Sequence, residues 1–178
     1  MKTNGPFKIT DSKTAYKNPW IEVREDKVIR PDGKEGLFGV IDYGKGTSTV
    51  ALDENHNINL VKEFYYALEE YGIQTPSGDI AHGETPLQGA QRELLEETGC
   101  SAEKWTDLGM INPMTMILKS PAFLFLAQNT KSIQPAEPET ELIVMPFEEA
   151  HQMVIDSKIT HGPSCVAILK AKFFLERK

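Results

Sequence analysis

Between Gly78 and Cys100 the chain reads GDIAHGETPLQGAQRELLEETGC, a stretch with five acidic residues, of which Glu84, Glu93, Glu96 and Glu97 are glutamates. A helix turning about 100° per residue would carry Leu87, Ala90 and Leu94 on one apolar stripe and Glu93, Glu96 and Glu97 on an adjoining face. Like charges so close repel by tenths of a kcal/mol per pair, roughly, so the arrangement makes most sense with a cation among them. Carboxylate oxygens are hard ligands that suit magnesium, or manganese, and such ions commonly take substrate phosphates as further ligands. The chemistry this suggests is metal-assisted reaction at a phosphate-bearing substrate. Its negative charge repels a nucleophile, and a bound metal neutralises that charge while lowering the pKa of a coordinated water. A carboxylate outside the helix would accept the water's proton, and the later acidic segment PAEPETEL offers Glu137, Glu139 and Glu141. The competing reading is a solvated charge run, which is what most glutamate-rich helix faces are.

These residues need elements to hold them. Pro86 suits the first turn of a helix and Gly99 the position just past its end, which predicts a helix over 86–98. Before it, 20–31 and 34–43 flank the turn signal Pro31-Asp32-Gly33, and 47–52 and 58–66 flank the polar loop 53–57, so two antiparallel hairpins are expected. Gly72, Pro76, Gly78 and Gly83 predict irregular chain over 72–85. The apolar runs 122–127 and 142–145 read as buried strands on either side of the acidic loop 134–141. Two helices, 147–157 and 164–176, close the chain, parted by Thr160-His161-Gly162-Pro163.

The chain has 178 residues, 40% hydrophobic and 25% charged, which fits one globular domain with a small appendage. A net charge of -7 argues against non-specific binding to nucleic acid or to an anionic membrane. No signal peptide or membrane span is evident, so a soluble, cytoplasmic protein is expected. Cys100 and Cys165 are too few for a disulfide framework and are expected to be ordinary buried thiols. His56, His82, His151 and His161 lack zinc-ligand spacing, and His82 is expected in an exposed loop.

The full spacing goes beyond a charge run. Gly78 is followed after five residues by Glu84, and after seven more by Arg92-Glu93-Leu94-Leu95-Glu96-Glu97-Thr98-Gly99-Cys100. This resembles the complete signature of the Nudix family, with only Cys100 departing from the usual closing aliphatic. The resemblance implies an α/β fold, an αβα sandwich with a mixed sheet. It implies that Glu93, Glu96 and Glu97 are ligands of Mg2+ (or Mn2+), with Glu97 central to catalysis. Arg92 would orient a motif carboxylate, and Glu84 would be a further ligand or the partner of Arg92. Gly78 and Gly83 would permit the tight loop. Among the loop glutamates the resemblance favours Glu139 over Glu141 as the base, on its distance from the strand and from Pro146.

Beyond the signature, NPWIEVREDKVIRPDGKEGLFGVIDYG, VALDENHNINLVKEFYYAL and the tail from PFEEA to GPSCVAILKA resemble the ADP-ribose pyrophosphatase branch. In that branch an N-terminal antiparallel β region, here 1–44, helps bind adenosine across a homodimer, and 45–178 would form the catalytic domain. Trp20, Phe38 and Tyr43 are then stacking candidates, with packing as the alternative for each. Three stretches depart from the branch. Lys62-Glu63-Phe64-Tyr65 lacks an arginine at position 65, although Lys62 keeps a positive charge for the substrate. Gln74-Thr75-Pro76-Ser77-Gly78 has an amide in place of an acid, and Leu118-Lys119-Ser120 brings Lys119 as a phosphate contact or a surface residue. ADP-ribose is the expected substrate, cleaved to AMP and ribose 5-phosphate. Another nucleotide sugar, a dinucleoside polyphosphate or a flavin dinucleotide is the alternative. Two other classes are a catalytically silent nucleotide-binding module and an isopentenyl diphosphate isomerase, which would need a reactive cysteine in the pocket.

Overall fold

The computed structural model describes residues 2–138 and 140–177. The chain forms two compact units, one of Met1–Gly44 with Asn112–Pro121, the other of Lys45–Ile111 with Ala122–Lys178. Along the sequence, the second segment of the first unit separates the two segments of the second.

The first unit is a five-stranded sheet in the order β1 (Lys2–Asn4), β2 (Phe7–Lys17), β3 (Glu22–Ile29), β4 (Glu35–Asp42), β10 (Leu118–Lys119). The hairpin expected around Pro31-Asp32-Gly33 is β3–β4, closed by hydrogen bonds between Arg30 and Lys34 and between Gly33 and Arg30. Strand β2 lies outside the sequence expectation. Most of its residues are exposed, so it lacks the apolar alternation that marks a half-buried strand. Asp26 is the buried charge of this unit; it accepts from Ser12 Oγ at 2.6 Å and from Arg24 Nε at 3.0 Å.

The second unit is built on a mixed sheet in the order β12 (Glu141–Pro146), β6 (Asn57–Tyr65), β5 (Gly46–Leu52), β11 (Ala122–Ser132), β9 (Cys100–Ile111). β11 runs parallel to β5 and the other neighbours are antiparallel. The region 72–85, expected to be irregular, contains two short strands: β7 (Glu70–Gln74) pairs with β6 and β8 (Ser77–Asp79) with β5. Glycine and proline punctuate that segment, but pairing with an already formed strand overrides their local preference.

Strand alternation divides the core between the sheet's two faces. Val50, Leu52, Leu60, Leu124 and Leu126 pack on one side with helices α2 (Phe147–Ile155) and α3 (Gly162–Glu176), whereas Ala51 and Ala127 lie on the other side with Leu94 of α1 (Pro86–Thr98). The small alanines let α1 approach the strands closely. Leu87, expected on the apolar stripe of α1, is 38% exposed. Among the described residues no helix is long and apolar enough to cross a membrane. Cys100 is buried as expected, but Cys165 is only partly so.

Candidate active site

Helix α1 carries the acidic face, and its ends are well determined. Thr85 and Gln88 form a reciprocal capping box, with Pro86 in the first turn. Gly99 closes the helix at φ 68° with its N–H bonded to Leu95 O, and a side chain there would collide with the Gln134 carbonyl. Gly99 O in turn accepts from Ile133 and Gln134, and Glu137 N donates to Glu96 O at 3.0 Å. The acidic loop that follows β11 is thereby tied to the C-terminal end of the acidic helix.

Arg92 is a hub. Its Nε and Nη2 take the Glu84 carboxylate at 2.9 and 3.2 Å, Nη1 reaches Glu93 at 2.7 Å and Glu96 at 2.9 Å, and Nη2 also donates to the Asp79 carbonyl at 2.7 Å. Glu84 further accepts from Ala81 N at 2.9 Å. The guanidinium holds the Glu84 carboxyl below its usual range, and the carboxylates raise the guanidinium in return. Gly78 leaves room for the Glu93 carboxylate, since a Cβ at this position would overlap it. Its role is close approach rather than the turn geometry expected from the sequence. Gly83, at φ 91°, does serve the turn.

Glu97 is held differently. It is 8% exposed and accepts from Ser77 N at 3.0 Å, while Gln74 Nε2 donates to Glu63 at 3.0 Å. Burial pushes Glu97 up to about 9, the nearby Glu63 and Glu93 charges add to the rise, and the carboxyl shares a hydrogen bond with Glu63. Burial also raises Glu63, Glu93 and Asp79. Among the described residues no three acidic, histidine or cysteine side chains converge into a ready-made cation cage. Arg92 draws Glu84, Glu93 and Glu96 to itself, and Glu97 turns to Ser77 and Glu63.

The arrangement therefore brings Glu84, Arg92, Glu93 and Glu96 into one network and leaves Glu97 with Glu63, a strand residue that the sequence pattern did not single out. Alternation along β6, with Val61 buried and Glu63 half-buried on the same face, is the signal that could have found it. Glu139 lies outside the described residues. Glu137 is exposed, and Glu141 is paired across the β6–β12 ladder with Lys62 at 2.9 Å. Lys62 also sits 5.4 Å from the centre of the Tyr71 ring. Lys119 is bonded to Asp42 within the first unit, where Trp20 is 70% exposed and Phe38 packs edge-on to Phe7 at 5.0 Å. His82 is exposed in its loop as expected.

Residues 42–162 match the NUDIX domain and residues 7–41 the nucleoside diphosphate sugar hydrolase N-terminal domain. The chain belongs to the Nudix family. A Bacillus subtilis (strain 168) ADP-ribose pyrophosphatase is 27% identical over 83% of this chain and 83% of its own length. An ADP-ribose pyrophosphatase of Mycobacterium tuberculosis is 26% identical over 92% of this chain and 82% of its own. A mouse ADP-sugar pyrophosphatase is 26% identical over 64% of this chain and 61% of its own. A solved structure, the crystal structure of an ADP compounds hydrolase, superposes with a TM-score of 0.85 over 99% of this chain and 98% of that one at 19% identity. That likeness shows the fold alone, a mixed α/β chain with sheets and, among the described residues, three helices. This Nudix chain is a pyrophosphohydrolase, and its signature glutamates and arginine are the residues just described.

Proposed function

We propose that the protein hydrolyses the diphosphate of ADP-ribose to AMP and ribose 5-phosphate with a divalent metal, magnesium or manganese, held by Glu93, Glu96 and Glu97 with Glu84 alongside. The observation that carries this reading is the excess of desolvated carboxylates on one face of α1 and on the strand beside it. Glu63, Glu93 and Glu97 are all raised by burial, and Arg92 is committed to Glu84, Glu93 and Glu96. Buried acids without enough positive charge suit a site that acquires a cation. The names of the three relatives above support an ADP-containing substrate.

When bound, the metal offsets diphosphate charge and makes a coordinated water acidic. The chain's own residues do the rest. Arg92 orients Glu84, Glu93 and Glu96, and its fixed fork keeps their carboxylates on one side of the helix. Ser77 N–H orients Glu97, and the burial of Glu63 and Glu97 keeps bulk water from screening them. Glu139 is our choice for the group that takes the water's proton; Glu141 is already engaged by Lys62. Trp20, Lys62 and Lys119 are our proposed substrate contacts, and a homodimer the proposed assembly. Tyr65 and Gln74, where the branch has other residues, keep a different nucleotide sugar or a dinucleotide in view as the alternative substrate.

The test is incubation with Mg2+ and a panel of ADP-ribose, other nucleotide sugars, dinucleoside polyphosphates and flavin dinucleotide, with products identified by mass. Metal-dependent AMP and ribose 5-phosphate from ADP-ribose, at a kcat/KM above the rest of the panel, is the expected result. Turnover of another compound in preference would replace the substrate, and no turnover of any would favour a nucleotide-binding module.

A further inference from the structure

Behind the carboxylates runs a buried chain of hydrogen bonds that contains none of the signature residues. β7 ends at Gln74 and β8 begins at Ser77, so Thr75 and Pro76 fall between the two strands. Thr75 is fully buried, and a buried N–H that the sheet does not use must find a partner elsewhere. It finds Ser164, also fully buried, in the first turn of α3: Thr75 N donates to Ser164 Oγ at 3.0 Å, and the two hydroxyl oxygens are 3.0 Å apart. The chain continues from Thr75 Oγ1 to Ser48 Oγ at 2.7 Å, and from Ser164 Oγ to His161 Nδ1 at 2.7 Å. A hydroxyl donates once and accepts twice, so these three partners use the full capacity of Ser164. Burial lowers His161 to about 4, which keeps its ring neutral and able to take either role in that chain.

The same short segment carries the acids. Gln74 Nε2 holds Glu63, Ser77 N holds Glu97, and Ser77 Oγ turns back to the Thr75 carbonyl at 2.7 Å. Pro76 O accepts from Thr49 N at 2.9 Å, which leaves Thr75 N as the point where α3 grips the segment.

We propose that Ser164, braced by His161, is a positioning residue for the active site: by anchoring Thr75 it sets the 74–77 segment, whose amide groups place Glu63 and Glu97 for a divalent cation. The catalytic consequence rests on the metal-dependent reading above, whereas the positional one does not. A purely structural Ser164 would fill a buried polar site and affect stability alone.

The test compares Ser164→Ala with Ile159→Val, a core change just before α3 that serves as a control for lost stability. Three quantities are read on the full chain: amide exchange at Ser77 without metal, the Kd for Mn2+ alone, and kcat and KM for ADP-ribose with Mg2+. In Ser164→Ala, Ser77 exchange is expected to quicken about tenfold, and Mn2+ affinity and kcat to fall about tenfold, as is usual when an outer partner of a metal ligand is lost. KM should stay within about threefold, and Ile159→Val should change none of these. Equal Ser77 exchange in the two variants overturns the proposal, as does faster exchange with unchanged Mn2+ affinity. A wild-type protein that neither binds Mn2+ nor hydrolyses ADP-ribose sinks the proposed function instead. Ser77 exchange still decides the positional claim in that case.

Discussion

Two sets of carboxylates, on α1 and in the loop just before it, have different partners. Glu84, Glu93 and Glu96 gather around one guanidinium, whereas Glu97 is turned inward toward Glu63, with the Ser77 N–H and, among the described residues, no cationic side chain as its partner. The residue type is the same throughout. Surroundings make the difference, since Arg92 favours ionised Glu84 and burial favours protonated Glu97. A charged cluster in a protein is therefore better described by its partners than by its acid count. Here the half paired with Arg92 is the partnered one, and Glu97, without a cationic partner among the described residues, is the unpartnered one.

Breaking the unpartnered half should have the largest effect. Glu97→Gln is expected to lower kcat by about a thousandfold, a loss of roughly 4 kcal/mol of transition-state stabilisation, measured by steady-state hydrolysis. The same substitution should help the metal-free fold at alkaline pH. Glu97 sits at about 9 in the fold against an ordinary 4.5, so its contribution is fully present below 4.5 and lost as pH rises through 9. Urea unfolding without metal should show that slope in the wild type and a flatter one in the variant.

Breaking the partnered half should cost less. Arg92→Lys keeps the charge but loses the fork that holds Glu84 at two points, and activity should fall by about 10- to 100-fold. Unlike Glu97→Gln, it should lower the urea midpoint. A fall as deep as that of Glu97→Gln would mean that Arg92 acts directly on substrate and that the contrast between the halves is wrong.

A second pH effect separates the acids from the chain behind them. His161 lies at about 4 in the fold against an ordinary 6.5, so the stability tied to its neutral form is complete above 6.5 and lost as pH falls toward 4. With partial solvent screening this amounts to about 2 kcal/mol at the acid end. Unfolding of His161→Asn between pH 4 and 7 should lack that component, and an unchanged profile would remove it. The smallest effect is expected at Lys119, an exposed residue paired with Asp42. Lys119→Ala should leave the unfolding midpoint within about 0.5 kcal/mol and raise KM for ADP-ribose a few-fold if the amine meets a phosphate. An unchanged KM would return Lys119 to an ordinary surface role.

The parts of this molecule legible in the sequence are those whose determinants lie close together along the chain. α1 announces itself through Pro86 and Gly99, and the Arg92 hub through spacings within a single loop and helix. The β3–β4 hairpin is legible for the same reason, through Pro31-Asp32-Gly33. β2, β7 and β8 were not, because their pairing partners, rather than their own alternation, stabilise them. Glu63, Ser77 and Ser164 come from β6, β8 and α3 and meet only when the sheet closes. No spacing rule links residues so far apart in the chain.

The sequence by itself determined the acidic helix, its caps and the order of glycine, glutamates and arginine around it, because helical geometry and local turns follow from neighbouring residues. Only the tertiary structure decided which glutamate would be buried, which would be neutralised by Arg92, and which hydroxyl of α3 would grip the segment beneath them. Burial and charge pairing are properties of groups brought together from distant points of the chain, and their free energies exist only once those groups share the same space.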